Sequence, residues 1–213
     1  MGAENYGGRG NVLWEISLTI LFDIIMENNA KAVAAAFEEK VRKDLTDFLK
    51  YKGALDEHVP ECPDVEEKWA EIARAYLPDG AREFQQYPVV SLGWMMLMGM
   101  AMAWYWDKDW EKYGKKVDFY EELRDKGGYD NFDDTVVRDL LGYEGEGAEK
   151  MLELVAECAS RVYGLLSHEH LEAGTEAAFG CYVGALHQLY LAGMAMELNA
   201  LGYHMTAFNP SMN

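Results

Sequence analysis

Apolar and charged positions alternate at helical spacing over much of the chain. From Val33 to Phe48 an apolar residue recurs every three or four positions, within a segment otherwise rich in Lys, Glu and Asp. This spacing places the apolar side chains on one face and predicts an amphipathic helix over about 30–51. The same pattern predicts another amphipathic helix over about 147–166.

The chain before residue 30 carries a narrow polar stripe on an apolar background. Four polar residues recur there at every fourth position: Glu15, Thr19, Asp23 and Glu27. That spacing places them on one side of a helix over about 11–28. Asn28 and Asn29 follow as a turn signal, so we expect this helix to be separate from the one that follows it.

Prolines interrupt the helical pattern twice. Pro60 and Pro63 cannot continue the preceding helix. Asp64 and Glu67 then have the spacing of a capping box, in which each side chain bonds the other residue's backbone. We expect a third helix over 64–77, ended by the proline and glycine that follow it.

Two segments lack a charged face. Residues 89–106 contain no charge, and in residues 177–196 the strongly polar side chains are His187 and Gln188. A helix that is apolar all round lies in a protein core or in a membrane. Because both segments are rich in Gly, Ala and Met, we predict two buried central helices that pack against each other, the second capped by Thr175. Their predicted bounds are about 88–106 and 175–202.

The two central segments share the tetrapeptide GMAM, at 99–102 and at 193–196. No fixed repeat of 20–50 residues accompanies it, so we attribute it to shared core composition and not to duplication. Small residues in the first segment, such as Gly93 and Gly99, predict a close backbone approach to Gly180, Gly184 and Ala192 of the second.

The remaining stretch, 115–147, is the most polar and predicts short helices in an outer layer. No segment alternates in the manner of a β-strand. The predicted fold is therefore all-α, a single-domain bundle of about seven or eight helices. The predicted domain covers 11–205, between a flexible N-terminus at 1–10 and a loose tail at 206–213.

Charge excludes some partners. Lys and Arg total 19 against 37 Asp and Glu, a formal net charge of −18 at pH 7. Such a chain repels phosphate and anionic lipid, so we expect no nucleic-acid partner and no anionic membrane surface. An acidic surface steers association toward cationic surfaces, which is compatible with a basic protein as partner and equally with a role of the charge in solubility alone. Because half of the residues are hydrophobic, the chain has the composition of a folded protein.

The cysteines and the N-terminal sequence bear on the cellular compartment in which the protein resides. The three cysteines are far apart and form no C-x-x-C pair, which argues against a disulfide framework or a zinc ribbon. The first residues lack the order of a signal peptide. We therefore expect a cytoplasmic protein.

Metal-ligand patterns are weak. His168 and His170 are two residues apart and diverge on a helix, and the chain contains no E-x-x-H motif. A calcium loop starting at Asp130 would need Asp or Asn where Phe132 stands and Gly where Thr135 stands. We expect neither a metal site nor a cofactor.

One set of residues remains for acid–base chemistry or polar recognition. Glu15 and Asp23 of the first helix could meet His187 of the last helix in an apolar setting, where carboxylates acquire raised pKa values. Two functional classes follow. The first is a non-enzymatic protein that recognises another protein, and the alternative is a small-molecule-binding or enzymatic bundle that uses these three residues. A membrane-associated protein is a second alternative, and a homodimer is expected if either central helix is peripheral.

Overall fold

The computed structural model describes the backbone of residues 10–204 and the side chains of residues 27–204, Tyr129 excepted. The regular elements of that range are all helical, which confirms the all-α fold. Residues 1–9 and 205–213, which hold most of the predicted flexible N-terminus and the whole predicted tail, lie outside it. The helices are α1 (Gly10–Tyr51), α2 (Pro63–Glu66), α3 (Trp69–Phe84), α4 (Pro88–Tyr113), α5 (Phe119–Gly127), α6 (Phe132–Asp134, which runs into a π-helical turn at Thr135–Leu140), α7 (Gly145–His168) and α8 (Glu176–Ala200).

Helices α4 and α8 form the centre of the bundle. They run in the same direction, because Ser91 and Tyr182 meet near their starts while Trp106 contacts Tyr203 just past the end of α8. Both helices are buried over most of their length. Thr175 caps α8 by accepting a hydrogen bond from the backbone N–H of Ala178 at 3.2 Å, as predicted.

The small residues of α8 serve two different contacts. Gly99 of α4 and Gly193 of α8 lie at the α4–α8 crossing, so both GMAM segments take part in the helix contact. Gly180 and Gly184 instead face Ala34 and Glu38 of α1. The expectation that these two glycines meet α4 is therefore wrong. A sequence shows which positions are small but not which neighbour each one faces.

Helices α1 and α7 flank the central pair. The amide of Asn199 on α8 donates to the carbonyl of Ala54 just past α1, so α1 and α8 run in the same direction. Helix α7 runs opposite to α1, and Arg161 donates two hydrogen bonds to Asp44 across them at 2.7 and 2.8 Å. The apolar faces predicted for 30–51 and 147–166 are buried, including Val41 and Val162 at 0% exposure.

The predicted break at Asn28 and Asn29 is wrong, because α1 is one continuous helix from Gly10 to Tyr51. Asparagine lowers helix stability by only a fraction of a kcal/mol relative to alanine, roughly 0.7 at most. Neither glycine nor proline stands at this point to stop the helix. Lys31 and Glu27 form an i,i+4 ion pair at 2.6 Å across the junction.

The third predicted helix also differs from the structure. Asp64 makes no capping box: α2 begins after Cys62 without a side-chain cap, and Asp64 instead accepts a hydrogen bond from the indole of Trp106 at 3.1 Å. Helix α3 then continues through Pro78 to Phe84. Proline removes one backbone hydrogen bond, and here Pro78 is exposed, so water can satisfy the carbonyl that loses its partner.

Tertiary contacts hold the chain in helical form after Pro78. Asp79 accepts hydrogen bonds from Tyr120 at 3.1 Å and from Arg124 at 2.9 Å, both on α5. The hydroxyl of Ser91 on α4 donates to the carbonyl of Gly80 at 2.8 Å. Helix α5 and the π-helical turn thus cover one side of α3 and α4, which is the outer layer that the polar stretch predicts.

Helix α4 is long and apolar enough to cross a bilayer, a property that no other helix in the described range shares. Of the 18-residue apolar window that gives it this property, 78% is buried inside the protein. Core helices commonly pass the same length and composition test.

Candidate functional site

His187 lies in the middle of α8 and bonds to a carboxylate of α1. Its Nδ1 is 2.6 Å from Oε1 of Glu38. The buried stripe of α1 positions that carboxylate, because Phe37 and Val41 on either side of it are fully packed against the core. Gly184 leaves room for it, since a Cβ at this glycine would lie 3.3 Å from the Cβ of Glu38.

Glu38 holds two neighbouring side chains of α8 through one oxygen. Besides His187, the amide nitrogen of Gln188 donates to Oε1 of Glu38 at 2.9 Å. A carboxylate only accepts hydrogen bonds, so both partners must present N–H groups to it. This fixes the tautomer of His187, with the proton on Nδ1, and the orientation of the Gln188 amide.

The imidazole is further held by an aromatic ring of α3. Trp69 stacks on His187 with ring centroids 4.7 Å apart and an angle of 27° between the planes. The His187 side chain is 22% exposed, yet its Nε2 is buried and finds no hydrogen-bond partner among the described residues. The ring is thus held between Glu38 of α1 and Trp69 of α3.

Gln188 connects this cluster to a cleft of about 340 Å³ between α1 and α8. The loop at 52–62 closes one end of the cleft. Its walls are mostly apolar, with contributions from Leu45, Leu49, Leu55, Leu191, Met194 and Ala195. Small-molecule sites in proteins have this character, mainly apolar walls with a few polar groups, and begin at roughly 300 Å³.

The rim of the cleft carries charge of mainly one sign. Arg42 lines it, but Glu39 takes two hydrogen bonds from the guanidinium at 2.6 and 2.7 Å. Those bonds raise the pKa of Arg42 above its ordinary value, with a smaller contribution from Glu61. Glu61 and Glu66 also line the cleft. The guanidinium is therefore already neutralised by carboxylates, and the rim has excess negative charge.

Of the three residues singled out by the sequence, His187 is the one that the structure describes as part of this site. Glu15 and Asp23 belong to α1, but their side chains lie outside the described residues. Glu38 is not among the residues that the sequence pattern singled out. A signal for it exists, because Glu38 is three residues before Val41 and seven before Leu45, which places it at the edge of the buried stripe.

The residues first considered as metal ligands do not converge. Nδ1 of His168 lies 2.6 Å from the carbonyl of Gly164 in its own helix, while Glu169 pairs with Lys40 at 2.6 Å. Among the side chains that the structure describes, no group of three His, Cys, Asp or Glu residues is close enough together to hold a metal ion.

A second buried carboxyl group lies toward the end of α8. Glu197 is 5% exposed, and its Oε2 has no hydrogen-bond partner in the described part of the chain. Burial raises the pKa of Glu197 to about 7; the charge of Asp107 adds to the increase and that of Lys108 opposes it. This group is separate from the cleft, whose lining does not include it.

Comparison with known proteins assigns no family or function to this site. The chain matches no model of a known protein family, and neither the curated proteins nor the solved structures include a match.

Proposed function

We propose that this protein binds a small molecule in the cleft between α1 and α8. The observation that carries the proposal is the cleft itself, about 340 Å³ with apolar walls, together with a polar side chain held in one orientation at its edge. Gln188 is 7% exposed and bonded to Glu38, so it presents a fixed polar group to the cleft. Binding sites need such preorganised groups, because a side chain ordered only on binding costs affinity.

The experiment tests whether the cleft is the site. A library of small amphipathic compounds is screened against the protein with methyl-labelled leucine and methionine, read by NMR. We expect hits to shift the methyl signals of Leu45, Leu49 and Met194, which line the cleft. Shifts spread evenly over the methyl groups of the protein would contradict the proposal.

Variants that fill the cleft sharpen the test. Ala192→Trp and Thr46→Trp place a large side chain in it from opposite helices and should abolish binding of the hits. Ser160→Trp is the matched control, since Ser160 is exposed on α7 and does not line the cleft. Hits that bind both cleft variants as well as the control would exclude the cleft as the site. Circular dichroism checks that each variant is folded.

The prediction of a basic protein partner depends on the net charge of −18 and stays a prediction beside this proposal.

A further inference from the structure

The orientation of the Gln188 amide determines which kind of group the cleft can receive. Its nitrogen donates a hydrogen bond to Glu38. The flipped orientation of the amide would place its oxygen against the carboxylate, and two acceptor oxygens cannot form a hydrogen bond. The oxygen of Gln188 therefore stays free to accept. No residue in the part of the chain that the structure describes donates a hydrogen bond to it, and Gln188 lines the cleft. A ligand group that contacts this oxygen therefore needs to be a hydrogen-bond donor.

The charges at the rim point the same way. Arg42 gives two of its five N–H groups to Glu39 and lies near Glu61, so these carboxylates offset part of its attraction for an anionic ligand. Glu66 lines the cleft and has no ion-pair partner among residues 27–204. A cation that entered the cleft would meet this carboxylate, and charge-assisted hydrogen bonds to a carboxylate are about twice as strong as neutral ones.

The walls determine the rest of the ligand. Leu49, Leu55 and Met194 line the cleft together with Leu45, Val59, Leu191 and Ala195, so its walls offer apolar surface to a ligand. An alkyl or aryl group fits this surface, because moving its methylene groups out of water is favourable.

From these three observations we infer that the ligand is an organic amine: a primary ammonium group bound by Gln188 and Glu66, with an apolar tail between α1 and α8. This inference rests on the proposed small-molecule function of the same cleft. It assigns Glu38 the role of a positioning residue, since it holds the Gln188 amide with its oxygen available to the ammonium.

The test compares three probes that share one tail and differ in head group: hexan-1-amine, hexan-1-ol and hexanoate. Binding is measured by calorimetry and by NMR at pH 7.5 and constant ionic strength. We expect the amine to bind at least tenfold more tightly than the alcohol, and hexanoate to bind more weakly than both. If the alcohol or hexanoate binds as tightly as the amine and Ala192→Trp abolishes that binding, the proposed function holds and the amine inference is overturned.

Variants then test the residues. Glu66→Gln should weaken amine binding about tenfold without changing the affinity for the alcohol. Glu67→Gln is the matched control, because it removes the same charge from an adjacent exposed residue that does not line the cleft. If Glu66→Gln and Glu67→Gln lose the same affinity for the amine, the loss comes from the change in net charge, and the assignment of Glu66 is overturned.

Gln188→Leu and Gln188→Met should each weaken amine binding and leave the alcohol bound, because both remove the acceptor oxygen. The second variant keeps the test valid if the first fails to fold. If none of the three probes binds the wild-type protein while hits from the library do, the amine inference fails and the proposed function holds; if the library gives no hits either, both fail.

Discussion

Gly99 of α4 and Gly193 of α8 pack backbone against backbone at the centre of the bundle. A Cβ at Gly99 would lie 1.9 Å from the carbonyl oxygen of Tyr190, and a Cβ at Gly193 would lie 1.9 Å from that of Met96. The contact is reciprocal, since each glycine faces the carbonyl three residues before the other. The two GMAM segments therefore meet. Because glycine has no side chain, the two helix backbones can approach this closely.

Replacing either glycine by alanine should destabilise the protein strongly. Gly99→Ala and Gly193→Ala each place a methyl group where a backbone oxygen lies, so the helices must separate, at a cost of about 3 kcal/mol or more. Gly164→Ala on α7 is the control, since its Cβ would meet nothing within 4 Å and the better helix propensity of alanine should stabilise by about 1 kcal/mol. Urea denaturation measures all three, and equal effects would contradict the close approach.

Glu197 should make the stability depend on pH near neutrality. Its folded-state pKa of about 7 exceeds the ordinary value of 4.5, so the folded protein holds the proton more tightly than the unfolded chain. Stability is then highest below pH 4.5 as far as this group is concerned, and it falls as the pH rises toward 7, by about 3 kcal/mol at most. Tyr143, whose pKa burial raises, and Asp107 and Lys108 of α4 face the same group.

A neutral replacement isolates this effect. Glu197→Gln should equal the wild type in stability at pH 4.5 and exceed it by up to about 3 kcal/mol at pH 8, where the wild-type carboxyl is ionised. Glu111→Gln, at an exposed position of α4, should change stability equally little at both pH values. Denaturation curves at pH 4.5 and pH 8 measure the free energy of unfolding of each variant. If Glu197→Gln differs from the wild type by the same amount at both pH values, Glu197 does not cause the pH dependence.

Glu38 should matter more to stability than its neighbour Glu39. Glu38→Ala leaves the N–H groups of His187 and Gln188 without an acceptor, which costs about 1–3 kcal/mol. Glu39→Ala removes an ion pair with Arg42 at the surface and should cost under about 1 kcal/mol. The comparison uses thermal or urea denaturation. Equal losses would show that the carboxylate of Glu38 is not the acceptor that holds the two side chains.

The cysteines should resist thiol reagents in the folded protein. Cys62, Cys158 and Cys181 are buried, and burial raises the pKa of Cys158 to about 12. The reactive thiolate is therefore scarce, and access requires opening of the helices. Labelling with dithionitrobenzoate should be slow in buffer and fast in denaturant, whereas an added surface thiol in Ser160→Cys should react at once. Rapid release of three equivalents from the native wild type would contradict the buried placement.

Much of the fold follows from local patterns in the sequence and could be predicted from them. The spacing from Val33 to Phe48 selects the buried face of α1, because only a helix brings positions three and four apart together. The chargeless segments 89–106 and 177–196 form the centre, because no other placement in a folded domain hides so much apolar surface. The side chain of Thr175 caps α8 through a bond three residues away, which a short sequence window contains in full.

Features that depend on distant parts of the chain could not be predicted. Pro78 indicates a break locally, but contacts of Asp79 with α5 keep the chain helical after Pro78. His187 was identified as a polar residue that needs a partner, whereas its partner Glu38 lies 149 positions away in the chain.

The sequence by itself determined which side chains must be buried and that the elements are helices, because both follow from the spacing of apolar residues along one chain segment. The tertiary structure alone decided which side chains of different helices meet, and therefore that Glu38 orients Gln188 at the edge of the α1–α8 cleft. The physical reason is that helix pairing depends on the shape and charge of two surfaces at once, and a sequence pattern describes one surface at a time.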